Sequence, residues 1–224
     1  MAPSPSPYDL GVLHRRLASL LVTVTAAGLA VSGCSSPNQA IREQSAAVRV
    51  DDRTVSRSDF DESLDAVYEN DDLLGSLFQG ATRDQLRPEE GLTDAFNQEY
   101  VAAMARMRVD FLIVEEALES EDIIVTADDR RAVSDELESG VPEFESLPAR
   151  FRDDLVEGFA GIDKLRSELG EDEFNVAVGE VVDRVDISVS SRYGSWDDDE
   201  RAVLPPAGPA PAPGVDDTSA PAPG

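Results

Sequence analysis

The sequence predicts a mainly helical α+β domain in which long helices are closed by a small sheet. Three observations predict it. Apolar residues recur at helical spacing through two long stretches, Phe96 to Leu118 and Leu147 to Leu169. Short alternating runs lie far apart, AAVRVDDRTV at 46–55 and VDISV at 185–189, and read as a hairpin and a strand that pair with each other. Polar or Pro/Ala-rich segments flank this body and leave about residues 46–200 to fold, enough for one modest core.

The hairpin alternates Val48 and Val50 before a turn at Asp51-Asp52 and resumes at Thr54-Val55. Ser56 stands where an N-cap belongs, with Asp59 three residues on, and Phe60, Leu64 and Val67 line one face of the helix that follows. DLLGSLF at 72–78 is an apolar patch ahead of a Gly/Pro-punctuated loop around Arg87-Pro88. A long helix is predicted from about Asp94 to Leu118, opened at Thr93, with Phe96, Tyr100, Ala103, Met104, Met107, Phe111, Val114 and Leu118 in steps of three and four. Ile123–Val125 is a brief extended stretch, and Thr126 with Asp129 caps a helix that runs to about Glu138, ahead of Gly140 and Pro142. Leu147, Phe151, Leu155, Phe159, Ile162, Leu165 and Leu169 mark another long helix, with Pro148 in its first turn and Gly170 as its stop. Phe174–Val182 adds a short helix before the closing strand, whose natural partner is the hairpin near residue 50.

The two ends read as an address and a tail. HRRLASLLVTVTAAGLAVSGC, residues 14–34, has the basic, apolar and small-residue order of a secretory signal peptide, and its apolar run is short for a membrane span. Its ending, Val31-Ser32-Gly33-Cys34, resembles a bacterial lipobox. The resemblance implies cleavage after residue 33 and lipid on Cys34, a cell-membrane anchor facing away from the cytoplasm. An uncleaved anchor helix and plain secretion remain alternatives. Residues 34–45 read as a polar tether, and 201–224, which hold seven of the 14 prolines, as a disordered Pro/Ala-rich tail.

Composition narrows the chemistry. There are 19 Lys and Arg against 46 Asp and Glu, and loss of residues 1–33 removes Arg15, Arg16 and Asp9, so 17 basic and 45 acidic groups remain. Such a surface resists aggregation and lacks the basic face that nucleic acid requires. The single histidine, His14, lies on the discarded side, and the single cysteine is Cys34. A mature chain of this kind builds neither a Ser-His-Asp nor a Cys-His site, and no His/Cys zinc site. Lys164 is the only lysine, and GIDKLRSEL around it matches no phosphate-cradling loop. Asp197, Asp198, Asp199 and Glu200 have oxygen ligands for calcium but lack the EF-hand pattern, and read more simply as a solvated run. No enzyme, no cofactor beyond the covalent lipid on Cys34 and no metal are expected.

AVRVDDRTVSRSDFDESL, the long helix YVAAMARMRVDFLIVEEALES with EDIIVTADDRRAV after it, and VDISVSSRYGSW follow each other in an order that resembles the N-terminal chaperone domain of SurA-type and PrsA-type extracytoplasmic folding factors, relatives of trigger factor. The resemblance covers most of residues 46–196 and implies a helical cradle. It also implies ATP-independent chaperoning, the transient capture of unfolded or nascent secreted proteins. Full-length members often carry a parvulin-type prolyl isomerase domain whose site uses histidines. No segment of that size is left over here, so isomerase activity is not expected. Candidate client-binding residues are Met104 and Met107 with Tyr100 and Phe111, because flexible thioethers suit a surface that accepts many sequences, and Leu73, Leu74, Leu77 and Phe78 of the DLLGSLF patch. Both groups have a plain alternative: the stripe packs against the helix at 147–169, and the patch is a short helix docked on the core. The alternative function is an envelope scaffold or binding lipoprotein with one fixed protein partner. An open concave apolar surface favours the chaperone, and a sealed core favours the fixed partner.

Overall fold

In a computed structural model, which describes residues 46–78, 82–83 and 96–207, strands β1 (Ala46–Val50) and β2 (Arg53–Ser56) form an antiparallel hairpin. Strand β3 (Ile187–Val189) pairs with the other edge of β1, Val48 opposite Val189 and Val50 opposite Ile187, so the sheet order is β2-β1-β3. The expected union of the two ends of the domain is therefore present, and β1 is its central strand. Asp51 extends the clasp: its amide donates to the Asp186 carbonyl and its carboxylate accepts from the Asp186 amide.

The helices follow from the caps and stripes. Ser56 accepts from the Asp59 amide and opens α1 (Arg57–Glu69), whose Phe60, Leu64 and Val67 are buried. Asn70 ends α1 and caps α2 (Asp71–Leu77) through a bond from the Leu73 amide. The apolar patch is thus a short docked helix. The long helix α3 (Gln98–Ser120) is capped by Asn97, which accepts from the Glu99 and Tyr100 amides; the expected cap at Thr93 and the loop around Arg87-Pro88 lie outside the described residues. Thr126 and Asp129 form a reciprocal capping box for α4 (Ala127–Gly140), which includes the glycine expected to stop it. In α5 (Ala149–Leu169), Pro148 is the N-cap rather than a first-turn residue, and Gly170, with φ +83°, separates α5 from α6 (Glu171–Arg184).

The strand pair β4 (Ser195–Asp197) and β5 (Ala202–Leu204) was not anticipated from sequence. Residues 202–204, assigned above to the tail, instead form the return strand, with Val203 buried. The acidic run at 197–200 is the connecting turn, where the Glu200 amide donates to Asp197 and the Trp196 indole donates to Asp198. Arg106 fastens this hairpin to α3: its guanidinium lies over the Trp196 ring, donates to the Arg201 carbonyl and pairs with Asp110 at 2.8 Å.

Helix α3 is the axis of the fold, packed against β1, α5, α6 and β5. Of its 23 residues 13 are buried, among them Val101, Ala102, Ala105, Val109 and Ile113, which lie off the predicted stripe. The helix is thus enclosed on nearly every side rather than along one face. The architecture is mainly α with a small sheet, as the sequence predicts. No helix among the described residues is long and apolar enough to cross a membrane.

Candidate functional site

The candidate client-binding side chains lie in the core. Leu73, Leu74 and Met104 are fully buried, Leu77, Tyr100, Met107 and Phe111 nearly so, and Phe78 is half-buried. Tyr100 donates from its hydroxyl to the Leu64 carbonyl at 2.7 Å, and its ring meets Phe78 and Phe96 edge-on, each at 5.5 Å. These residues are brought together as packing, and in this conformation they offer no open apolar face. Cys34 lies outside the described residues. Among the described residues the exposed large apolar side chains are Ile124, Val176 and Leu204, each on a different element or loop and forming no stripe along a helix.

One crevice of about 320 Å³ opens between β2, α3 and α5. That volume lies at the small end of ligand sites, which span roughly 300–1,000 Å³. Its floor exists because α5 carries glycines where it crosses α3. A Cβ on Gly158 would lie 2.5 Å from Phe111 Cδ1, inside the ring's van der Waals surface, and one on Gly161 would meet Leu118 and Val114 at 3.2 Å. Glycine at both positions lets the helices approach and leaves unfilled volume beside them. Phe111, Val114 and Leu118 supply apolar lining, and Phe111 also packs edge-on against Phe159.

The rim is charged. Arg108 comes from inside: its side chain is 3% exposed, its Nη2 is 2.9 Å from Asp154 Oδ2, its guanidinium lies over the Phe151 ring, and its Nε has no hydrogen-bond acceptor. Burial pulls this guanidinium below its ordinary pKa, against the pull of Asp154. At the other end Arg53 of β2 meets three carboxylates of α3, Glu115 at 3.1 Å, Glu116 at 3.4 Å and Glu119 at 2.5 Å. Burial opposes the Arg53 charge, but Glu115, Glu116 and Glu119 outweigh it and hold the guanidinium above its ordinary value. Glu115 is pushed above the usual carboxylate range, chiefly by burial. Arg53 works against that rise, and Glu157, Asp154 and Glu119 add to it. Glu157 is held from the side by Arg130, whose Nη2 donates to it at 2.7 Å.

An apolar floor with opposed charges at its mouth has the features of a small binding crevice, a concave apolar surface with a few placed polar groups. Among the described residues no group of three or more His, Cys, Asp and Glu side chains is arranged to hold a metal ion. Of the candidate client-binding residues, only Phe111 reaches this crevice. The missed signal was FAGIDKL at 159–165 together with Gly158: two glycines three apart inside a helical pattern mark a close helix crossing. In comparisons with known proteins the chain matches no family model, no curated protein and no solved structure.

Proposed function

We propose that the chain is a lipid-anchored, outward-facing binding protein of the cell membrane that holds one fixed protein partner. The observation that carries this reading is the closure of the apolar helix faces. Met104, Met107 and their neighbours are buried, and the concave feature left between β2, α3 and α5 is small and rimmed with charge. A surface for many unfolded clients needs a broad apolar area, whereas a small shaped crevice selects. The anchor in this proposal is lipid on Cys34, and the excess of 45 acidic over 17 basic groups left after cleavage keeps the body from self-association.

The second reading is the ATP-independent chaperone for translocated proteins. What favours it is the element order: hairpin, capped helix, long helix and a closing strand returned to the hairpin's sheet, the order on which the resemblance to SurA-type and PrsA-type factors rests. In that reading the helices must part before a client is held.

Photo-crosslinking in intact cells separates the two. With crosslinkers at Thr54 and Arg150 on the crevice and at Asp135 on α4, the fixed-partner reading expects a single adduct, from the crevice positions only. A ladder of adducts from all three positions, together with suppression of aggregation of an unfolded model protein by the purified chain, would favour the chaperone. The anchor is tested separately: palmitate labelling should vanish in Cys34→Ala, and equal labelling of the variant rejects it.

A further inference from the structure

We propose that the crevice receives a lysine or arginine side chain from an extended segment of the partner protein, its apolar stem on Phe111, Val114 and Leu118 and its cationic head at Glu115. The inference rests on the fixed-partner reading and adds the chemistry of the partner.

Charge points to a cation. On α3, Glu115 and Glu119 pair with the guanidinium of Arg53, Glu116 lies between Arg53 and Arg184 at 3.4 and 3.5 Å, and Glu115 is half-exposed at the mouth with Glu157 across from it on α5. The other basic groups nearby are already engaged: Arg108 with Asp154, Arg150 with Asp59, and Arg130 with Glu157. An incoming carboxylate would have to displace one of these pairs, whereas an incoming ammonium or guanidinium finds the shared acids undercompensated. Over the whole chain 46 acidic groups face 19 basic ones, so long-range steering also selects a basic partner.

Shape points to a long stem. The lining residues Arg108 to Leu118 run along eleven residues of α3, about 15 Å of helix. Lysine and arginine are the side chains that place several methylenes on apolar surface while keeping a charged head in water. The crevice is also bordered by β2, an outer strand of the sheet, where Thr54 is exposed. A segment in extended form can therefore lie beside β2 while one side chain enters.

The test is amide NMR of the isotopically labelled full chain in mild detergent, titrated with the capped peptide Ala-Val-Ala-Lys-Ala-Val-Ala. Parallel titrations place Glu or norleucine where the lysine stands, and another uses decanoate. The lysine peptide should shift the Gly158 and Gly161 amides in a salt-sensitive way, with the glutamate peptide silent and the norleucine peptide weaker. Glu115→Gln should weaken the lysine peptide roughly threefold or more while leaving the spectrum elsewhere unchanged, and Gly161→Ala should weaken it by occupying the floor. Equal binding of the norleucine peptide would make this a plain apolar pocket, and binding of decanoate with the lysine peptide silent would make it an anion site. Either result, or an unaltered affinity in Glu115→Gln, overturns the proposal. A single crevice adduct in cells alongside any of these failures rejects the basic side chain alone, whereas adducts from every position reject the fixed-partner reading beneath it.

Discussion

The two halves of α3 carry the same kind of apolar residues and end up differently. From Tyr100 to Met107 the helix is sealed: Tyr100 bonds to the Leu64 carbonyl of α1 and meets the rings of Phe78 and Phe96, and Met104 is fully buried. From Arg108 to Leu118 one side of the helix borders open volume, although its apolar residues are as large. The difference lies in the partner helix. Where α5 crosses the second half it presents Gly158 and Gly161, and paired charges stand at the rim beside them. An opening in this protein is made by side chains that are absent, whereas its conspicuous apolar ones are packed.

The largest effect that would break this contrast is truncation in the sealed half. Met104→Ala should cost about 2–5 kcal/mol in denaturant unfolding, because no water reaches its site and the cavity stays. Leu112→Ala, whose half-buried side chain borders the crevice, should cost below about 1.5 kcal/mol. Equal losses at the two sites would mean the halves do not differ in closure.

Next in size is the ion pair at the crevice's inner end. Asp154→Asn leaves the Arg108 guanidinium buried without its counter-charge. For a fully buried pair that costs about 3–5 kcal/mol, and here it should fall below that range because Asp154 is about one-third exposed. Adding Arg108→Met should recover most of the loss, since an apolar side chain of similar length suits the Phe151 ring. A double variant no more stable than Asp154→Asn would sink the idea that the unpaired charge is what hurts.

The glycine crossing gives a smaller effect. Gly158→Ala forces a methyl group into the Phe111 ring and should destabilise by about 1–3 kcal/mol, the usual cost of overpacking. At Gly161 the neighbours need yield by only a few tenths of an ångström, and the gain in helix propensity of about 1 kcal/mol offsets that. Gly161→Ala should therefore be near neutral by thermal melting. A Gly158→Ala protein as stable as the parent would show that α5 can shift away from α3.

How much of this was readable in advance depended on whether a residue's role followed from its own neighbours in sequence. Ser56 and Thr126 cap helices through residues three positions on, so local spacing sufficed. The sheet that joins residue 48 to residue 189 was legible because both partners alternate clearly. The hairpin at 195–204 was not, since three-residue strands around an acidic turn carry almost no pattern and owe their place to Arg106, about 95 residues away in the chain. Met104 and Met107 carried the right residue types for a binding surface, yet whether α3 was covered depended on elements that no stripe on α3 can report. The crevice was hidden for the same reason: its floor needs Gly158 and Phe111 to meet, and only the folded chain brings them together.

The smallest effect tests the crowded carboxylates at the mouth. Glu115 faces Arg53 from β2, Glu119 on its own helix, and Asp154 and Glu157 from α5, and its carboxyl sits above the ordinary value of 4.5, chiefly through burial. An acid raised in the folded state favours folding when it is protonated. That contribution is complete below the ordinary value and is lost as pH rises through the folded pKa. Glu115→Gln keeps the neutral form at every pH, so its Tm should match the parent at acidic pH and exceed it at pH 7. Neighbouring carboxylates are common to both proteins and largely cancel in the difference. With Glu115 about half exposed, the gain should stay below about 1 kcal/mol. A variant less stable than the parent at pH 7 would mean that Arg53 more than compensates the surrounding acids. The mouth would then have no unmet demand for a cation, and the contrast between a sealed half and a half awaiting a partner's charge would lose its electrostatic side.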